Sequence, residues 1–399
     1  MTETVAALLA RVDAAVAARR RLRRRPVGET IAALERAAAR WRADTALAAA
    51  LPVAAALSGP AIVCAMNVAA EAIDAATMTD LVEREWGPGA ARRPVPDGPA
   101  LVAHVLASNV PALALPAVAL GCLAGAAMLV KSGRHDDLSA PAFARALAAE
   151  DPDLAATVVP AYWAGGDVAR EDAVLGRADV VVATGSDSTL AALVPRLGAR
   201  LVAHGPRSSI AVVDDAADAD ALALDVALHD QRGCLSPHVV HVLGAARRFA
   251  ARLAAALDVL AARMPLGAAS VGERATIRLH AADAEWAPRA AVLAGPGGTV
   301  IYDEERPGHP GPGRRTIHVH PVDGPSVAWA DVAGGTIECV GVSGIDVQPF
   351  VDALRDLGVA RVCPVGRMQR PPLSWPRGQL PPLGVLLGRR TAREIQIGT

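Results

Sequence analysis

The chain has 399 residues, 52% of them hydrophobic and 3% aromatic, enough apolar mass for two or three buried cores and too much for a disordered or fibrous chain. Its 40 Lys and Arg against 41 Asp and Glu leave a formal net charge of −1, so no bulk field selects nucleic acid or an anionic membrane as partner. Five cysteines, Cys64, Cys122, Cys234, Cys339 and Cys363, are widely spaced without a Cys-x-x-Cys pair. This argues against a disulfide framework or a metal site and for a reducing, cytoplasmic setting.

Residues 1–95 read as a helical region. Thr4 to Arg25 and Thr30 to Ala50 carry apolar stripes between charges, and Pro52, Gly59 and Pro60 break the pattern. The Arg cluster at 19–25 is followed by Pro26, Gly28 and Glu29 where a signal peptide needs an apolar run, so it is read as a solvated helix end and no export signal is expected. Pro94, Pro96, Gly98 and Pro99 form a linker. Residues 101–130 contain no charge over a bilayer-spanning length, but Asn109, Pro111 and Pro116 divide them into a strand to Leu106 and a helix from Pro111, the pattern of a buried α/β unit rather than a membrane span. Strands at Ala126–Val130, Ala155–Pro160 and Asp179–Ala183 then alternate with helices from Ser139, Val168 and Ser186. Such alternation predicts a doubly wound parallel sheet with ligands beyond its carboxyl ends.

A second α/β unit follows from Gly205, with strand Ile210–Val213, a helix over Ala216–Leu228, the loop Asp230–Pro237 and strand His238–Leu243. Gly and Pro make residues 295–315 a surface loop region or hairpins. The Pro-rich tail ends in an apolar stretch, Leu383–Leu387, expected to extend a sheet or an oligomer interface.

Among the cysteines, Cys234 is placed most like a nucleophile, with Gly233 before it and Arg232 near enough to favour a thiolate. Local context alone leaves an inert buried thiol equally open. Asn109 has two compatible readings, a helix N-cap before Pro111 and a side-chain amide donor to an oxyanion.

The run Ser108-Asn109-Val110-Pro111, then Lys131-Ser132-Gly133, then Val180 to Ser186 ending in Thr-Gly-Ser, then Cys234, resembles in order and spacing the aldehyde dehydrogenase superfamily. Within it, Ala203-His204-Gly205-Pro206-Arg207-Ser208, Gly-Cys-Leu-Ser-Pro-His at 233–238 and Cys363 to Pro372 look like the bacterial acyl-CoA reductases of the LuxC type, over about residues 20 to 385. The resemblance implies an aldehyde-dehydrogenase-like α/β fold: the helical region, a cofactor-binding domain at 96–204, a catalytic domain at 205–363 and a returning tail at 364–399. It implies Cys234 as the acyl-accepting nucleophile and Asn109 with the Cys234 backbone N–H as oxyanion donors. It further implies cofactor contacts at Lys131, Ser132, Arg134, Gly166, Gly185, Ser186 and Gly205, with no metal. Gly185 and Ser186 end a strand and open a helix, where backbone N–H groups can hold a pyrophosphate. The guanidinium of Arg134 suits a 2′-phosphate, so NADPH is the expected cofactor.

Two departures sharpen the expectation. Where aldehyde oxidisers of the superfamily carry a general-base Glu upstream of the nucleophile, this chain has His204-Gly205. An acyl-CoA reductase does not need that base, because its acyl-enzyme receives hydride instead of water. His204 is read either as a proton donor to the departing thiolate or as a structural histidine. The Glu-Glu-x-Phe-Gly-Pro signature that holds the nicotinamide ribose is also missing, and the stretch around Gly297, Tyr302 and Pro307 receives no role. Arg367 and Arg370 either face the phosphates of CoA or cofactor or belong to a solvated linker.

The expected function is therefore NADPH-dependent reduction of an acyl-CoA, a fatty one, to an aldehyde through a Cys234 thioester. The rivals are a CoA-acylating aldehyde dehydrogenase, an acyl-phosphate reductase, and a non-catalytic scaffold homologue in a multi-enzyme complex. A homo-oligomer and acyl-transferring partner enzymes follow from the resemblance, without a membrane span or nucleic acid.

Overall fold

A computed structural model describes residues 3–95, 97–305, 311–328, 337–388 and 396–398. The N-terminal stripes become five helices: α1 (Val5–Ala18), α2 (Val27–Arg42), α3 (Thr45–Ala55), α4 (Gly59–Glu71) and α5 (Ala75–Trp86). The first stops earlier than the sequence pattern, passing into a 3₁₀ turn at Arg19–Arg21 before Pro26 starts the next element. Asp44 and Asp74 cap α3 and α5 by accepting from backbone N–H groups at 2.9 Å. The Arg cluster is only partly solvated. Arg19 donates to the carbonyls of Gly125 and Gly98, and Arg25 pairs with Asp151, tying the helical region to the base of the first sheet.

That sheet holds β1 (Leu101–Val105), β2 (Ala127–Lys131), β3 (Val158–Ala161), β4 (Val180–Thr184) and β5 (Leu201–His204), interleaved with α6 (Ala114–Leu123), α7 (Ser139–Glu150), α8 (Pro152–Ala155), α9 (Val168–Leu175) and α10 (Asp187–Leu197). All four pairings are parallel, in the order β3-β2-β1-β4-β5. The chain reverses direction across the sheet between β1 and β4, and the crevice beyond Val105 and Thr184 is the place such folds bind ligands. Residues 101–130 are thus strand, turn, helix and strand, with both strands buried up to Val130 and the turn at 106–110 open to solvent or only partly covered. Among the described residues no single helix is long and apolar enough to cross a membrane.

Helix α6 begins at Ala114 rather than Pro111, and Leu113 rather than Asn109 precedes it, so the N-cap reading of Asn109 is corrected. The helix sits close on its sheet because Gly121 has no Cβ: one built there would fall 1.7 Å from Met128 Sδ. Strand β3 starts later than expected because Pro152 and the Asp151 cap wind α8 first.

The second sheet has eight strands, with β6 (Ser208–Asp214), β7 (Pro237–Leu243), β8 (Ala290–Gly295), β9 (Gly298–Asp303), β10 (Thr316–Val322), β11 (Ile337–Ser343), β12 (Arg361–Pro364) and β13 (Gln396–Ile397) in the order β13-β12-β11-β6-β7-β10-β9-β8. Among the described residues of this sheet, only the β8–β9 hairpin is antiparallel. Helices α11 (Ala219–Ala227), α12 (Ala246–Ala261) and α13 (Val271–Glu285) belong to this unit. The short link from His204 to Ser208 turns the carboxyl ends of the first sheet toward the amino ends of the second, and the main cavity lies between them.

Two expectations fail here. The Gly- and Pro-rich stretch is not all surface, since Arg314 and Arg315 are buried beside the loop that leads to Cys234. The stretch Leu383–Leu387 is no strand, and Leu383 and Leu386 plug into the core shared by α2, α5 and α6; Gln396–Ile397 extends the sheet instead. The expected elements at Pro96 and Pro307 lie outside the described residues.

Candidate active site

Three consecutive non-glycine residues, His229, Asp230 and Gln231, take left-handed backbone angles (φ 58°, 50° and 58°) just before Gly233 and Cys234. Such a run is costly and persists only when its surroundings over-determine it. Asp230, fully buried, accepts from Arg315 Nε at 3.0 Å and from the Gly267 N–H at 2.9 Å, and lies 3.4 Å from Arg314 Nη1. Gln231 gives its amide to the Pro237 carbonyl at 2.8 Å. This buried network bends the chain so that Cys234 stands at the amino end of β7, facing the first sheet.

Asn109 reaches the same loop from the turn after β1. Its Nδ2 donates to the Arg232 carbonyl at 2.6 Å, two residues from the thiol. The carbonyl of Cys234 accepts from Ser209 Oγ at 2.7 Å, and Ser209 Oγ accepts in turn from the Cys339 N–H. Arg232 does not serve the thiol as the sequence implied; its guanidinium turns away to the carbonyls of Ala55 and His229.

Cys234 is half-buried, and burial pushes its thiol above the usual range; Arg377 pulls it back most, Glu338 raises it, and Arg207 lowers it. His204, at the end of β5, is held well below the ordinary histidine range by burial and by the charges of Arg377 and Arg207. An imidazolium is therefore disfavoured there. His104, on β1, is likewise pushed down to about 4 by burial first and Arg377 second.

One cavity of about 1300 Å³ joins these groups. Its polar arm is lined by Lys131, Gly133, Arg134, Gly165, Gly166, Gly185, Ser186 and Gly205. Lys131 lies over the Trp163 ring at 5.8 Å, and Glu171 on α9 faces it while paired at 2.8 Å with Arg196. Gly166 (φ 90°) has open space where a Cβ would stand, and Ser186 caps α10 through the Thr189 N–H. Such open turns, a helix start, Lys131 at a strand end and Arg134 in the turn beyond it fit the phosphates of a dinucleotide. Ser132 does not join them. Its side chain is buried and its N–H serves the Ala161 carbonyl.

The other arm is apolar, lined by Ala65, Val68 and Ala69 of α4 and Ala72 just after it, Ala117 and Leu120 of α6, and Leu373, Val385 and Leu386 of the tail. Neither Arg367 nor Arg370 lines the cavity; Arg370 pairs with Glu71, and Gln369 lies between them instead, its amide on Ser236 Oγ at 2.7 Å. Asp225 anchors that motif by accepting from the Met368 and Gly366 N–H groups, and burial pushes its carboxyl up to about 7. Tyr302 points to Glu304 and takes no part in the cavity.

The acyl-CoA reductase (LuxC) family model matches residues 22–377. The chain belongs to that family. A long-chain acyl-protein thioester reductase of Vibrio harveyi is 24% identical over 276 residues, 66% of this chain and 57% of the relative; the chain therefore spans little more than half the length of that relative. Among solved structures, an NAD-dependent benzaldehyde dehydrogenase from Corynebacterium glutamicum superposes with TM-score 0.66 at 18% identity, covering 91% of this chain and 86% of its own. A succinic semialdehyde dehydrogenase from Streptococcus pyogenes, solved with NADP⁺, gives 0.69 at 15% identity, covering 91% and 87%. The LuxC chain thus has the aldehyde dehydrogenase fold.

Residues that sequence reasoning missed in this LuxC chain are Arg207, Glu338, Gln369 and Arg377. Arg207 and Gln369 stood inside motifs quoted for the resemblance, but nothing local marked Glu338 or Arg377.

Proposed function

We propose that this chain reduces a fatty acyl-CoA to an aldehyde with NADPH, through a thioester on Cys234, using residues 96–204 to bind the cofactor, 205–363 to present Cys234, and the apolar arm formed by α4, α6 and the tail to hold the acyl group. The observation that carries this reading is the meeting of Asn109 and the Cys234 loop where a polar and an apolar arm of one cavity join. The thiolate of Cys234 attacks the thioester carbonyl, and the CoA thiolate leaves and takes a proton from solvent. The second N–H of the Asn109 amide and the Cys234 N–H serve the oxyanion formed on the way. When bound, NADPH supplies the hydride that turns the acyl-enzyme into aldehyde and frees the thiolate. The carboxylate acting on Cys234, Glu338, is engaged by Arg207 and the Gly378 N–H, so it activates no water, and hydrolysis of the acyl-enzyme stays slow. Arg134 and Lys131 are the cations assigned to the 2′-phosphate.

A second reading, in which the acyl group arrives on a protein thioester, is favoured by the name of the Vibrio harveyi relative. The decisive experiment mixes the protein with acyl-CoA in the absence of NADPH and maps the adduct by mass spectrometry. An acyl group on the Cys234 peptide, absent in Cys234→Ala, is expected. An adduct elsewhere, or aldehyde production by Cys234→Ala, overturns the covalent mechanism.

A further inference from the structure

The returning tail brings a fixed positive charge to the cavity. Arg377, in the turn Arg377–Gln379, donates Nη1 to Thr184 Oγ1 at 3.0 Å, at the end of β4. The Gly378 N–H donates to Glu338 Oε1 at 3.0 Å, and Glu338 Oε2 lies 3.0 Å from Arg207 Nε. Glu338 is wholly buried near the start of β11. A Cβ on Gly378 would stand 3.6 Å from His204 Nδ1 and 3.8 Å from Arg207 Nη2, so these side chains form one cluster. Arg377, Arg207 and His204 line the same cavity as Cys234, and Trp375 packs with Cys234 on Cys339, Cys363 and Met368.

Two guanidinium groups against one carboxylate leave the cluster net positive. A half-buried thiol needs such a charge, because its anion is otherwise left in an apolar wall. The histidines on the cavity wall, His204 and His104, are kept neutral by burial and by these same cations, so neither forms the imidazolium that a cysteine–histidine pair uses. Arginine keeps its charge at every working pH.

We propose that Arg377, clamped by Thr184 and by the Gly378–Glu338 bond and only partly offset by Glu338, which Arg207 also engages, supplies the fixed positive charge against which the Cys234 thiolate forms. Arg377 is a positioning residue acting through the field at the thiol, and the proposal rests on the reading of Cys234 as the nucleophile. The same charge favours thiolate release when the reduced adduct collapses, so it serves both ends of the cycle. The groups that bear on the thiol are Arg377 from the tail, Arg207 and His204 after and at the end of β5, His104 on β1, Glu338 and Cys339 on β11, and Cys363 on β12.

The test is the rate of iodoacetamide alkylation of Cys234 in the full chain as a function of pH, read on its peptide by mass spectrometry. Arg377→Met is expected to slow alkylation about tenfold at neutral pH and to move the ionisation midpoint upward. Arg377→Lys keeps the charge and is expected to stay within about threefold of the wild type. Glu338→Gln removes the opposing charge while keeping an acceptor for Gly378, and its midpoint moves downward. Packing damage cannot produce opposite shifts, and if Arg377→Met fails to fold, Arg377→Lys and Glu338→Gln still decide. Unmoved midpoints in Arg377→Met and Glu338→Gln, a shift of the same sign in both, or an Arg377→Lys protein as slow as Arg377→Met overturns the proposal. Neither cofactor nor acyl substrate enters this assay; normal field effects with no acyl adduct would instead sink the reductase reading.

Discussion

The Asn109 amide donates to the Arg232 carbonyl at 2.6 Å, joining the turn after the first strand of one sheet to the nucleophile loop of the other. This bond holds the proposed oxyanion donor two residues from Cys234. It also makes the relative position of the two sheets part of the catalytic geometry, since neither sheet carries both groups.

Asn109→Ala is accordingly expected to lower kcat by about 10²- to 10³-fold, the size of losing one oxyanion donor. Acylation of Cys234 should remain detectable, and a smaller effect on KM than on kcat separates this from a loss of substrate binding. Single-turnover acylation measured beside steady-state reduction makes the distinction.

Arg134 is exposed at the mouth of the polar arm, after β2. Arg134→Glu replaces an attraction for the 2′-phosphate by a repulsion, and a charged hydrogen bond of this kind is worth about 1.5 to 3 kcal/mol. The ratio of kcat/KM for NADPH over NADH should fall by at least about tenfold. An unchanged ratio removes Arg134 from the cofactor site.

Asp230 pairs with Arg315, shares Arg314 with Glu273, and holds three left-handed residues in place. Asp230→Ala leaves Arg314 and Arg315 buried without that partner, a change that costs about 3 to 5 kcal/mol. Chemical denaturation should show the loss in midpoint, and the alkylation rate of Cys234 should change with it because the loop it stands on is released.

Buried histidines set the response to acid. His104 and His241 are pushed down to about 4 and His229 to about 3, each mainly by burial. Between the unfolded value of about 6.5 and these folded values the unfolded chain binds the extra protons. The stability they contribute is full above pH of about 6.5 and is lost as pH falls toward 4. Asp225, raised to about 7, and Glu338 and Asp136, also raised by burial, act in the opposite direction, but as three carboxyls against five imidazoles, since burial holds His204 and His238 down as well. Denaturation midpoints should therefore fall steadily from pH of about 6.5 to about 5, by about 1.4 kcal/mol per pH unit for each unbalanced proton. A flat profile would mean that these rings are not buried neutral.

Much of the first sheet was legible because its signals are local. Short apolar runs such as Leu101–Leu106 and Val180–Ala183, bounded by Pro and Gly, announce buried parallel strands, and the same reading distinguished β1 and α6 from a membrane span. Helix α12 is legible in principle, since Phe249, Leu253 and Leu257 recur every four residues on its buried face. The order of Asn109, Lys131, the Thr-Gly-Ser turn and Cys234 was enough to point to the family, because chain order survives where pairwise similarity has decayed.

Only the tertiary structure decided which charges meet. Arg377, Glu338, Arg207 and Thr184 come from four separate segments, and no periodicity or spacing links them. Their pairing depends on how the tail crosses the cavity and on the turn from β5 into β6. The backbone of His229, Asp230 and Gln231 is equally non-local: His and Asp tolerate left-handed angles better than most side chains, but a run of three does not follow from them, and the conformation is held because Arg314 and Arg315 arrive from the strand region across the sheet to hold Asp230. Hydrophobic patterning acts over a few residues and is written along the chain. A buried electrostatic network is written in the contacts that folding creates between distant segments.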